Sequence, residues 1–109
     1  MAEKPPVSFD DNNAPSLTVL QESGASYGWP LHLLSQWHYT PPASVSEPGT
    51  LALWLVDKTV KVTGDELDKI AAVLAEGKGG KLQAVGERYR SQRTKGAAYI
   101  VSIEIEQAG

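Results

Sequence analysis

The stretch that decides the fold is residues 63–77, which read TGDELDKIAAVLAEG. Apolar residues recur within it at positions i, i+3, i+4 and i+7, which is the period of an amphipathic α-helix. They are Leu67, Ile70, Ala71 and Leu74. Gly77 follows the last of them and predicts the helix end, because glycine adopts the left-handed conformation of that position without strain. A helix with one apolar stripe must bury it, so the stretch predicts a helix that lies on a sheet.

The start of this helix is predicted from the polar residues that precede the stripe. Thr63 and Glu66 have the spacing of a capping box. In this motif the threonine side chain accepts the backbone N–H of the glutamate, and the glutamate side chain accepts the backbone N–H of the threonine. Asp65 and Asp68 add negative charge where the helix dipole favours it. We therefore predict a helix that begins at Thr63 and runs for about three turns. A catalytic role for these acids is the weaker explanation.

Four further stretches have the alternation or the β-branched content that is typical of strands. They are residues 16–22, 50–56, 81–85 and 97–106. Residues 50–56 read TLALWLV and are apolar on both faces, which predicts a central strand covered on both sides, with Trp54 buried. Residues 58–62 also have a strand pattern. They form either the second strand of a hairpin with 50–56 or the end of one long bent strand over 50–62.

These elements predict an α+β domain over residues 16–109. We expect an antiparallel or mixed sheet of four to five strands with one amphipathic helix packed on one face. Residues 1–15 contain three prolines and an Asp-Asp-Asn-Asn run, and we expect them to form a disordered N-terminal arm. The order of the strands does not follow from the sequence.

Residues 28–42, GWPLHLLSQWHYTPP, contain two of the three tryptophans and both histidines. We predict a loop or helical turn over 30–34 and a strand over 35–40, although Leu34 falls on the polar side of the strand alternation. One interpretation is that Trp29, Trp37 and Tyr39 anchor the core of a small domain. The other is an enzyme site over 29–39 that uses His32 and His38. We favour anchoring, because no third metal ligand or catalytic partner lies nearby in sequence.

Positive charge is concentrated in the segment from Lys78 to Lys95. It holds six of the ten basic residues and one of the thirteen acids, in a chain whose net charge is −3. Cations alternate with an aromatic ring in its second half, a combination that suits phosphate neutralisation and base stacking. The candidate partner-binding residues are Arg88, Tyr89, Arg90, Arg93 and Lys95. The overall acidity of the chain argues against a dedicated nucleic-acid binder.

Composition excludes several kinds of site. The chain has no cysteine, so disulfides and thiolate metal sites are absent. No catalytic motif, metal site or cofactor-binding motif is predicted. The N-terminal residues lack the pattern of a signal peptide, and no apolar run approaches the roughly 20 residues that a membrane helix needs. We expect a soluble, cytoplasmic protein that does not interact with membranes.

Three functions are consistent with these patterns. The first is a small non-enzymatic interaction module that binds a protein partner or itself, with a homodimer formed through the strand at 97–106 if this strand lies at a sheet edge. The second is a nucleic-acid-binding domain that uses the basic connector 78–95. The third is a small enzyme with a site in the 29–39 aromatic and histidine cluster. We favour the first.

Overall fold

The computed structural model describes residues 9–10, 16–44, 47–86 and 96–107. In chain order its elements are β1 (Phe9–Asp10), β2 (Ser16–Leu20), β3 (Ser26–Pro30), the 3₁₀ turn η1 (Leu31–Leu33), β4 (Gln36–Thr40), β5 (Gly49–Trp54), β6 (Lys58–Asp65), α1 (Asp68–Ala75), β7 (Gly80–Gln83) and β8 (Tyr99–Gln107). Of the predicted N-terminal arm, only the two residues of β1 are described, and they pair with β7. The rest of the arm lies outside the described residues.

The strands form two sheets. The first has the order β1-β7-β2-β3 and is mixed, because β2 and β7 are parallel, and the second has the antiparallel order β4-β5-β6-β8. The α+β class, the strand types and the single helix are therefore confirmed. The strands lie in two sheets of four rather than in the single sheet of four to five strands that was predicted. The division arises after Pro30, where η1 redirects the chain so that β4 pairs with β5 rather than with β3.

One continuous core lies between the two sheets and the helix. The helical stripe predicted from the sequence is buried as expected, with Leu67 and Ile70 fully inaccessible to solvent. The two sheets contribute the remaining fully buried side chains, which are Leu17, Val19, Leu51, Leu53, Val60, Val62, Leu82 and Ile100. Near their junction, the Val85 N–H donates to the Ile100 carbonyl at 2.8 Å. This bond ties the chain after β7 to β8.

The helix begins later than the capping box predicts. Strand β6 continues through Thr63 to Asp65, and α1 starts only at Asp68, without a side-chain cap. Thr63 pairs with Ser102 of β8, so its backbone belongs to the sheet. Glu66 adopts a left-handed conformation with φ of 54°, and its carboxylate accepts the Gly96 N–H at 2.8 Å. Strand pairing with a distant segment has overridden the local cap signal, and the helix has eight residues.

Residues 50–62 form a hairpin rather than one bent strand. The Leu55 N–H donates to the Lys58 carbonyl at 2.8 Å across a turn centred on Val56 and Asp57. The only described non-glycine residue with a positive φ is Glu66, so this turn does not use the left-handed conformations of the primed hairpin turns. The preference for glycine or asparagine therefore does not apply to it.

Strand β5 buries only one of its two faces. Leu51 and Leu53 point into the core, whereas Thr50, Ala52 and Trp54 are half-buried on the outer face of the sheet. The prediction that Trp54 is a buried core residue is therefore wrong. The cross-strand partners of Trp54 are Gln36 and Thr59, and no second layer of the described structure covers this face with core residues.

Strand β8 contains an irregularity that changes which face its residues occupy. Thr63 pairs with Ser102 and Gly64 pairs with Ile100, so Val101 is an extra residue opposite β6. Such a bulge shifts the alternation by one position. Ile100, which simple alternation from 97 to 106 places on the outer side, is fully buried instead.

Candidate functional site

Among the described strands, β4 forms one edge of the second sheet and pairs only with β5. Because the Leu55 N–H bonds to Lys58, every second residue of β5 directs its backbone groups toward β6, and the residues between them bond to β4. In β4, the residues whose backbone N–H and C=O groups point toward β5 are Gln36, His38 and Thr40. The N–H and C=O groups of Trp37 and Tyr39 therefore point away from the sheet, and no described residue hydrogen-bonds to them.

Helix α1 lies along this free edge and runs antiparallel to β4. At one end, Thr40 pairs with Thr50 and Thr50 pairs with Thr63, so the end of β6, from which the chain enters α1, lies at the same end of the sheet as Tyr39. Burial and the nearby Asp68 carboxylate raise the pKa of the Tyr39 hydroxyl. At the other end, Trp37 shares a cavity with Leu74 and Gly77 from the helix C-terminus. The strand edge and the helix together form a groove, called here the β4–α1 groove.

The cavity at the C-terminal end of α1 has a volume of about 580 Å³. This volume is within the range of roughly 300–1,000 Å³ that is usual for ligand pockets. Its lining residues are Leu31, His32, Leu34, Ser35, Gln36, Trp37, Leu74 and Gly77. Three leucines and a tryptophan provide apolar walls, while His32 and Gln36 provide hydrogen-bonding groups. The Ser35 hydroxyl donates to the Trp54 carbonyl at 3.0 Å.

Local backbone structure positions both walls of the cavity. After Pro30, the chain makes the 3₁₀ turn, closed by a bond from the Leu34 N–H to the Leu31 carbonyl at 3.0 Å, and then joins β4. On the other wall, Gly77 has φ of 78°. Its N–H donates to the Leu74 carbonyl at 3.0 Å, and the Lys78 N–H donates to the Val73 carbonyl at 3.2 Å. These two bonds form a Schellman motif, which stops the helix beside the cavity.

The structure divides the predicted 29–39 cluster. His32 and Trp37 line the cavity, whereas His38 is exposed and directs its side chain to the outer face of the sheet with Ala52. Trp29, Trp37 and Tyr39 are partly buried and pack against the core, in agreement with the anchoring interpretation. No acid lines the cavity, and the described residues contain no cluster of three or more histidine, cysteine, aspartate or glutamate side chains suited to a metal ion.

The candidate partner-binding residues of the basic connector lie outside the described residues. They are Arg88, Tyr89, Arg90, Arg93 and Lys95. The described residues on each side of them are held by specific hydrogen bonds. The buried Tyr99 hydroxyl donates to the Gly86 carbonyl at 2.6 Å, and the Gly96 N–H donates to the Glu66 carboxylate.

Six of the eight lining residues lie inside the 29–39 cluster that was considered as a possible enzyme site, and the two from α1 lie outside it. Leu74 was predicted to belong to the helical core stripe and Gly77 to stop the helix. Both predictions are confirmed, but each residue also lines the cavity. Besides His32 and Trp37, Leu34 gave a sequence signal, because it breaks the polar side of the alternation, and it lines the cavity. That signal does not identify the opposing helix, because the approach of α1 to β4 is a tertiary contact.

Comparison of the chain with protein-family models, with curated proteins and with solved structures finds no match. Over the described residues, none of the helical structure is long and apolar enough to cross a membrane. The interpretation of the site therefore depends on its own geometry.

Proposed function

We propose that this chain is a non-enzymatic interaction module that binds an extended segment of a protein partner at the β4–α1 groove. The segment adds to the free edge of β4 as a further strand, and one of its apolar side chains enters the cavity. In this mode of recognition, main-chain hydrogen bonds supply affinity and a side-chain pocket supplies specificity. We take the cytoplasm as the site of action, since a chain without cysteine needs no oxidising compartment.

The observation that carries the proposal is that Trp37 belongs to both parts of the groove. Its backbone N–H and C=O point outward from the sheet edge, and the same residue lines the cavity. A strand added to β4 would lie about 4.8 Å away, and its residue directly opposite Trp37 would point to the same face of the sheet. That side chain would therefore face the cavity and Leu74.

The first test is backbone methylation of a bound peptide. A labelled extended peptide with a central leucine, flanked by serine and threonine, is titrated with the protein by fluorescence polarisation. N-methylation removes one amide donor at a time, and we expect loss of binding at every second amide, because alternate residues of an edge strand face its neighbour. Equal sensitivity at all amides, or none, would contradict strand addition.

The second test uses the two histidines as a matched pair. His32→Trp places a larger ring in the cavity and should weaken binding of the leucine peptide about tenfold, since the apolar side chain loses its space. His38→Trp adds the same ring six residues later, on the outer face of β4, and it should leave affinity for the peptide unchanged. Equal effects of the two substitutions would show that the peptide does not use the cavity.

Self-association is the second form of this proposal. Among the described strands, β8 forms the other edge of this sheet, and an edge position is the condition under which we predict a homodimer. The edge is partly occupied, because the Ile103 carbonyl accepts the Gln21 side-chain amide at 3.0 Å. Two-fold pairing centred on Ile105 would also place Glu104 opposite Glu106 of the second copy, which is unfavourable. We therefore rank a protein partner above a second copy, and sedimentation showing a monomer at high micromolar concentration would eliminate the dimer.

Nucleic-acid binding through the basic connector is the alternative function, and it has a separate test. If Arg90 and Arg93 neutralise phosphates, replacing both with glutamate should abolish binding of labelled single-stranded DNA or RNA. Affinity of the unmodified protein should also fall steeply between two salt concentrations. Tyr89→Ala should cost roughly 1–3 kcal/mol on single strands if its ring stacks on a base. Binding no tighter than millimolar at low salt would eliminate this function.

A further inference from the structure

We propose that the segment bound in the β4–α1 groove carries a basic side chain two residues from its apolar one, and that the Asp68 carboxylate receives it. The inference rests on the proposed function and identifies the chemistry of the partner. It concerns the end of the groove opposite the cavity.

The spacing follows from the strand edge. Trp37 and Tyr39 are two residues apart and point to the same face of the sheet, so their outward backbone groups lie about 6.8 Å apart. An added strand has two residues opposite them with the same separation. The side chain opposite Trp37 faces the cavity, and the side chain opposite Tyr39 faces the start of α1.

The charge follows from what lies at the start of α1. Asp68 is exposed and is the acidic residue of the first turn of the helix. The strand register places it at the Tyr39 end of the groove, because Thr40 pairs with Thr50, Thr50 pairs with Thr63, and β6 leads directly into α1. The carboxylate carries a full negative charge, against about half a positive charge from the helix dipole, so a lysine or arginine beside it would be attracted and a glutamate would be repelled. The cavity at the other end is lined mainly by apolar residues and by no acid, so a charged side chain buried there would have no opposite charge to offset its loss of hydration.

The order of the two side chains depends on the direction of the added strand. In an antiparallel arrangement the residue opposite Tyr39 comes first, and the partner reads basic-x-apolar. In a parallel arrangement it reads apolar-x-basic. Both orders place the same side chain beside Asp68, so the order that binds more tightly identifies the direction.

The experiment compares five labelled peptides in one serine- and threonine-rich host. Two contain Lys-Thr-Leu and Leu-Thr-Lys, two contain glutamate in place of the lysine, and a neutral reference contains threonine there. In one of the two orders, we expect the lysine peptide to bind about fivefold more tightly than its glutamate counterpart. Asp68→Asn should abolish this difference and leave binding of the neutral peptide unchanged, which also shows that the variant is folded.

Asp57→Asn is the matched control, because Asp57 is an exposed acid in the hairpin turn at the opposite end of the second sheet from Asp68. It should retain the preference for lysine. Equal binding of lysine and glutamate peptides, or a preference that persists in Asp68→Asn, would overturn this inference alone. If none of the five peptides binds the unmodified protein, the proposed function is overturned and this inference with it.

Discussion

Gly64→Ala is expected to destabilise the protein by about 3 kcal/mol, at the upper end of the cost of overpacking. Gly64 lies opposite the bulge between β6 and β8. A Cβ at this position would overlap the backbone oxygen of Tyr99 and would lie 2.9 Å from the Ile100 Cα. Because these are backbone atoms of a paired strand, no side-chain rotation relieves the overlap. Denaturant unfolding, followed by tryptophan fluorescence, measures the change.

Gly28→Ala is the matched control for this prediction. Gly28 also lies in a strand, but the atom nearest to a Cβ there is the Leu17 carbonyl oxygen at 4.0 Å. We expect little change in the free energy of unfolding, because the added methyl group meets no obstruction in the folded state. Alanine also lowers the conformational entropy of the unfolded chain, which does not destabilise the protein. Similar losses in the two variants would show that the close approach of β8 to Gly64 does not exist.

Leu53→Ala is expected to cost about 2–5 kcal/mol, as truncation of a fully buried leucine does. Leu53 is completely inaccessible and points into the core between the two sheets. Its neighbour Trp54 has a much larger side chain but is only half-buried on the outer face. Trp54→Ala should therefore cost less, roughly 1–2 kcal/mol. Thermal and denaturant unfolding of both variants test this order.

A reversed order would restore the prediction made from the apolar pattern of residues 50–56. In that case Trp54 would be the core residue and the register of β5 would be shifted by one position, because a one-residue shift exchanges the two faces of a strand. The comparison is thus a test of register as well as of stability. A far smaller cost for both residues would indicate that β5 is not central to the core.

The candidate site could be predicted only in part. Two of its lining residues, His32 and Trp37, were singled out because aromatic and histidine side chains are concentrated near them. The cavity itself could not be predicted, because its second wall comes from Leu74 and Gly77, about forty residues later in the chain. The free backbone groups of β4 also depend on its position in the strand order, which local patterns do not specify.

Local periodicity determined the elements that depend on one segment alone. The helical stripe from Leu67 to Leu74, the stop at Gly77 and the alternating strand at residues 16–20 all agree with the structure. Each of these signals comes from contacts or conformations within a few residues, so the sequence carries it directly.

Tertiary structure decided the features in which distant segments compete with a local signal. Pairing with β8 extends β6 beyond Thr63 and delays the helix to Asp68. Pairing of β5 with β4 and β6, and burial of Leu51 and Leu53, leave Trp54 on the outer face. The bulge opposite Gly64 buries Ile100. In each case, strand pairing and burial across the whole domain outweigh a local preference of about 1 kcal/mol, so the outcome is set by the partner strand and by the core.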